Sequence, residues 1–394
     1  LLLRASVHRH QSDGFRENAY LGRDDSNGRD EITARTRLRW LVADAWQLDL
    51  AVMYADVDDG YDAFAVDNSY TVLSDNPGID AQESIGASFR AEYSGPAGIV
   101  FTSLTSLAHS DIRFSFDADW GNAESWAPVT YDYISRSDRQ RQTVSQEFRL
   151  SGEQWVAGIY AMQLQDDLDT IDQGEYYDPF FDFADSLDFT FASDYEATNV
   201  AAFGQYDFAL SEATRLSVGL RAERRTTDYS DSNGLAADPS ETMVGGEVSL
   251  SHDFSADFVG YATLSRGYKA GGFNLGVVPD DRRDFAAETM WNLEVGAKSS
   301  FADNSLQLNT AVFYAQRDDQ QVRTSFQIDP GDPTSFVFFT DNAAEGETFG
   351  LEMDLRWALN ANWEFYGTLG LLDATFDEFV TPQVDLGGRR QAHA

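Results

Sequence analysis

The sequence predicts an all-β protein, a transmembrane antiparallel β-barrel with short turns at one end and long loops at the other. Three observations carry this. Polar and apolar residues alternate along many segments, the turns joining those segments are alternately short and long, and the long connections are acidic. Alternation places successive side chains on opposite faces of a strand, whereas a helix would scatter them around its axis. In lipid every backbone donor needs a partner, so such strands must close into a barrel.

Taken in order, the segments support the reading one by one. In "ITARTRLRW", Ile32, Ala34, Thr36, Leu38 and Trp40 oppose Thr33, Arg35, Arg37 and Arg39. In "QEFRLSG", Phe148 and Leu150 oppose Glu147 and Arg149. "FVGYATLSRGYKA" sets Val259, Tyr261, Thr263 and Ser265 against Gly260, Ala262, Leu264 and Arg266. "NLEVGAK" sets Leu293, Val295 and Ala297 against Asn292, Glu294, Gly296 and Lys298, and "LEMDLRW" sets Leu351, Met353, Leu355 and Trp357 against Glu352, Asp354 and Arg356. Short turns are expected at 42–46, 94–98, 151–155, 210–214, 253–257, 301–305 and 359–363, and long acidic loops at 56–83, 115–139, 166–194, 228–240, 270–285 and 322–347. This gives roughly fifteen strands of about 10 to 16 residues, longer than the 5 or 6 usual in globular sheets. A sandwich has shorter strands, and a propeller would show a blade-length sequence repeat, which is absent. Trp40, Trp46, Trp155, Trp357 and Trp363 fall at or near short turns, as an interfacial aromatic girdle requires.

Composition sets further limits. The chain has 394 residues, with 28 Lys and Arg against 66 Asp and Glu, a net charge of −38. Such a chain is not expected to bind nucleic-acid phosphates, which need cationic patches. At 13% aromatic it is too rich in apolar surface for a disordered acidic polymer. It has no cysteine, hence neither disulfides nor thiolate chemistry. No apolar run reaches 18 residues, so no membrane helix is expected. A mean hydropathy of −0.39 is compatible with a barrel, where only one strand face meets lipid.

The stretch "SRGYKAGGFN" has cations among glycines but not the order of a phosphate loop, because Lys269 precedes Gly271 and Gly272 and no helical pattern follows. It reads as the end of a long strand bending into a loop. The strand "YATLSRGYKAGGFN", the following "ETMWNLEVGAKSSFADNSLQLNTAVFYAQRDDQQV" and "NAAEGETFGLEMDLRW" together resemble the TonB-dependent receptors of the bacterial outer membrane. The resemblance covers nearly the whole chain and is strongest over 199–379. It implies that residues 1–394 are about fifteen strands of a 22-stranded barrel, lying in the outer membrane of a Gram-negative bacterium. A plug domain with a TonB box, the first two strands and several last strands are expected to lie outside this sequence. It implies active uptake of a scarce nutrient, most often a ferric siderophore, energised through TonB by way of that box. It further implies a monomer among outer-membrane lipids, not an enzyme, without cofactor or resident metal. Arg266, Gly267, Tyr268, Lys269, Gly271, Gly272 and Phe273 form the signature strand. A passive solute channel and a soluble extracellular β-protein are the rival readings.

Candidate ligand contacts are few. The segment 166–188 carries nine carboxylates and no cation, with Tyr176, Tyr177, Phe180 and Phe181 interleaved. It reads either as a disordered run or as a loop folded over the pore mouth to touch ligand. Arg35, Arg37, Arg39 and Arg149 are expected to pair across the barrel interior, to meet a plug's carboxylates or to guide an anion. His8 and His10 share a face, but two ligands do not make a metal site; His109, His252 and His393 stand alone. "DVDDGYD" at 56–62 looks superficially like a calcium loop but lacks the twelfth-position Glu and flanking helices, leaving weak calcium binding by the acidic loops as an option.

Overall fold

The computed structural model describes residues 1–65, 67–274, 278–327, 336–380 and 385–391. Fifteen long strands dominate: β1 (Leu2–Ser12), β2 (Arg29–Ala43), β3 (Trp46–Tyr61), β4 (Gly78–Ser94), β5 (Val100–Asp117), β6 (Thr130–Ser151), β7 (Trp155–Asp178), β8 (Phe183–Ala209), β9 (Thr214–Asp231), β10 (Ser240–Ser255), β11 (Phe258–Lys269), β12 (Glu288–Phe301), β13 (Leu306–Gln327), β14 (Phe336–Asn360) and β15 (Trp363–Phe379). They follow one another in chain order within a single sheet. All seven expected short turns join consecutive long strands. The long connections differ from expectation. Strands of up to 27 residues absorb much of the acidic sequence, and the expected loop at 166–194 shrinks to a turn between β7 and β8. Ladder hydrogen bonds continue there because Tyr, Phe and Thr favour extended backbone while the carboxylates beyond buried Asp166 stand partly or wholly in water on either face. Part of the expected loop at 322–347, and His393, lie outside the described residues.

The chain forms two compact units. The first comprises Leu1–Leu150, Tyr160–Val200 and Thr226–Ser240, and the second Ser151–Ile159, Ala201–Arg225 and Glu241–Ala394. In the first, register shows how the faces separate. Leu3, Leu38, Leu50, Phe89 and Thr105 are successive cross-strand partners from β1 to β5. The next row, on the opposite face, is Arg4, Arg37, Ala51, Ser88 and Ser106. In the second unit, Leu264 faces Leu293 and Leu293 faces Tyr314 in the same way.

Among the described residues, no apolar core lies beneath these faces. The buried hydrophobics are scattered, while Leu3, Val7, Leu50, Ile85, Phe89, Leu107, Val295 and Leu371 are all exposed. Leaving one Leu-sized side chain in water forgoes about 1.5–3 kcal/mol. Repeated along every strand, that cost exceeds the stability of any ordinary soluble domain, whereas hydrocarbon removes it. Four of the five tryptophans named above, Trp40, Trp46, Trp357 and Trp363, are exposed near the short turns. Trp155 instead lies against the backbone of Gly152.

Candidate functional site

At the loop end of the first unit, three connections fold against one another. Residues 17–18 pair in parallel with residues 71–72. Asn18, fully buried, donates from Nδ2 to Asp62 Oδ2 (2.9 Å) and to the Ser74 carbonyl (2.8 Å). Asn122 Nδ2 donates to the Leu73 carbonyl (2.7 Å), and the Asp75 amide donates to the Gly121 carbonyl (2.9 Å). Phe64 stacks on Trp120 at 5.3 Å. The connections 13–28, 62–65 with 67–77, and 118–129 therefore form a folded layer.

The "DVDDGYD" stretch is not a calcium loop but the end of β3. Asp59 is buried and accepts from Arg29 (2.6 Å) and the Asp30 amide, while Asp62 serves Asn18. Carboxylate oxygens of Asp75, Asp119 and Asp132 do gather within 4.8 Å of one another, a grouping not visible in the sequence. Asp119 is almost wholly buried, and both its oxygens are taken: Gly121 N and Trp126 Nε1 donate to Oδ1, and Tyr133 N donates to Oδ2. Burial, then the neighbouring carboxylates, raises Asp75 and Asp132 above the ordinary carboxylate range. Asp117, at the outer end of β5 beyond the membrane band, is raised to about 7, first by burial and then by the charge of Asp119.

The four candidate aromatics divide. Tyr176 packs edge-on to Tyr131 (6.4 Å) and against Phe183 (6.1 Å), within a cluster that continues through Tyr133 and Trp126. Tyr177 donates to Asp182 (3.3 Å). Phe180 and Phe181 stand 76% and 82% exposed at the tip, where Asp178 accepts from the Phe180 amide (2.8 Å) and fixes the turn. The sequence reading missed Trp126, Tyr131, Tyr133 and Phe183. The density of tyrosine around 126–133 was the available signal.

Two of the four expected arginines, Arg39 and Arg149, pair with neighbours on the sheet, as do Arg90, Arg139 and Arg141, which the sequence did not single out. Arg39 and Arg90 both meet Asp49, Arg149 meets Glu147, and Arg139 and Arg141 converge on buried Asp166 (2.5 and 2.7 Å). Arg35 and Arg37 do not join such pairs. His8 faces Thr33 and His10 faces Glu31 across the β1–β2 ladder.

In the second unit the signature strand is a packing device. Arg266 donates to the Val244 carbonyl. The Tyr268 ring crosses β10 above Gly245, where a Cβ would stand 3.0 Å from it, and its hydroxyl donates to Glu223 (2.9 Å) and accepts from Arg221 (3.1 Å). Nothing lies near Gly267, and Lys269 is exposed. The Gly271 amide donates to Glu241 (2.8 Å), and Gly272 and Phe273 pair with Phe285 and Asp284. Asn274, buried, then donates to the Arg282 and Thr340 carbonyls and accepts from the Thr340 amide (2.6 Å), stapling the loop to β14.

Comparison with known proteins agrees with this geometry. The chain is similar to the pesticin receptor of Yersinia enterocolitica, 24% identical over 220 residues that make up 53% of this chain and 30% of that protein. It spans less than a third of the length of such curated relatives. Its fold is similar to that of the ferric yersiniabactin uptake receptor FyuA of Yersinia pestis, with a TM-score of 0.71, 18% identity and coverage of 99% of this chain and 58% of that one. The siderophore receptor PiuA of Acinetobacter baumannii gives a TM-score of 0.65 at 14% identity, covering 97% and 61%. The family model described as "TonB dependent receptor-like, beta-barrel" matches residues 4–390, and the chain belongs to that family of outer-membrane transport receptors.

Proposed function

We propose that the protein imports a ferric siderophore across the outer membrane, with energy delivered by TonB. The observation that carries this reading is the outer end of the first unit, where folded connections present a ring cluster and two free phenylalanines above an apolar strand band. Ferric siderophores are broad chelates with aromatic or polar rims, and rigid rings contact such ligands at low entropic cost. The family membership and the likeness to siderophore receptors support the same reading. No covalent step is involved. Binding at the loops would precede a TonB-driven opening of the interior.

The test is uptake of radiolabelled iron by a deletion strain under iron limitation, offered a panel of ferric siderophores that includes ferric yersiniabactin. Loss of uptake for one of them, restored by the full-length gene but not in a strain lacking TonB, is the expected result. Unchanged iron uptake across the panel would overturn the siderophore assignment, and uptake that persists without TonB would point to a passive channel.

A further inference from the structure

We infer that Arg4, Arg35 and Arg37 form an oxyanion site on the polar face of β1 and β2, filled by a carboxylate or phosphate that this chain does not supply.

Arg4 and Arg37 are direct cross-strand partners, and Arg35 faces Ser6 one step along the same face. These four side chains line a cavity of about 160 Å³. Like charges set opposite each other across a ladder destabilise it. Nearby arginines on this face are compensated, Arg39 and Arg90 by Asp49 and Glu92. Among the described residues, Arg4, Arg35 and Arg37 have neither an ion-pair nor a hydrogen-bond partner.

Their surroundings make the omission conspicuous. In a chain of net charge −38, the adjoining rows on β3, β4 and β5 hold Ala51, Ser88 and Ser106, then Met53, Gly86 and Ala108. No carboxylate lies in either row. Apart from Met53 these side chains are small and leave room beside the guanidiniums, so a group can approach closely. Three guanidiniums offer planar, fork-shaped donors that match the two oxygens of a carboxylate or phosphate, with the Ser6 hydroxyl as a further donor. The volume suits one such group rather than a whole chelate. This inference stands on the β1–β2 face alone and does not depend on which ligand the receptor imports.

The oxyanion has two possible sources: a small anion free in solution, or an acidic side chain on a polypeptide segment packed against this face. Phenylglyoxal labelling with peptide mapping separates them, because a guanidinium held by an oxyanion reacts slowly. The full-length protein in detergent is labelled at low salt, with exposed Arg215 as the internal reference. About tenfold slower labelling of Arg35 and Arg37 than of Arg215 is expected, the factor given by 1.4 kcal/mol of occupancy. Slow labelling without added anion that is released by 1 M NaCl identifies a side-chain carboxylate. Slow labelling only with millimolar citrate or inorganic phosphate identifies a free anion. Labelling as fast as Arg215 under both conditions overturns the site. So does slow labelling that persists at 1 M NaCl with no anion added, since that reports burial rather than pairing.

Discussion

Gly296 faces Tyr261 across β11 and β12, and a Cβ there would sit 2.5 Å from the phenol oxygen. The tyrosine lies flat over the glycine and donates to Glu294 (2.7 Å), with Lys298 near its face. Gly296→Ala must tilt the ring and break that bond. A loss of about 1–3 kcal/mol follows, the usual cost of overpacking. Urea unfolding in detergent, followed by tryptophan fluorescence, would read it; an unchanged midpoint would refute the packing account. Asp117 makes a second prediction at this scale. Its proton is held more tightly in the folded layer than in an unfolded chain, so its contribution weakens as pH rises from about 4 to about 7 and is level above that. Protection factors over 118–129, exchange rates divided into the intrinsic rate at each pH, should fall across this window, and Asp117→Asn should abolish the change. Equal protection factors at pH 5 and pH 8 in the parent would sink the idea. Little of this was legible in the sequence. Tyr261 and Gly296 are 35 positions apart, and alternation gives a side chain's face, not the neighbour over which it lies.

At the scale of elements, the short turns were legible because each is a brief break between two alternating runs. The long connections were legible only as acidic. Composition cannot say whether an acidic segment continues a ladder, and β7 and β8 do so for most of the expected loop at 166–194. The staple at Asn274 was equally hidden, since its partner Thr340 lies 66 positions along the chain. Asn274→Ala should leave Thr340 and Arg282 backbone groups unpaired, costing about 1–3 kcal/mol locally. Faster exchange confined to 270–287 and the facing end of β14 is the expected readout, and unchanged protection there would show that the staple is dispensable. At the β7–β8 tip, the double change Phe180→Ser and Phe181→Ser removes only exposed rings, so unfolding should shift by less than about 0.5 kcal/mol. Uptake of the proposed ferric siderophore should fall severalfold if the tip touches it. Normal uptake would point instead to the half-buried cluster around Tyr131 and Tyr176.

At the scale of the molecule, the sequence carried the membrane environment better than the site. Alternation survives along the strand segments set against lipid because lipid on one side and polar contacts on the other impose it there, and it lapses where β7 and β8 run on into water. Side-chain clusters at loop ends obey no such period, so the aromatics around 126–133 went unread and only part of the 176–181 group proved free. The full-length protein should sediment with the outer membrane and resist extraction by 1 M salt, despite its charge, because the apolar face rather than an ion atmosphere holds it there. Release by salt alone would contradict the lipid-facing assignment. The bare phenylalanines of the β7–β8 turn also give the experimenter a marker of sidedness. Chymotrypsin cleaves after aromatic residues, and Phe180 and Phe181 are offered to it on a narrow tip. Added to intact cells, the protease should nick the chain there first and leave the short turns of the opposite rim whole, reporting which end faces the outside world without any engineered tag.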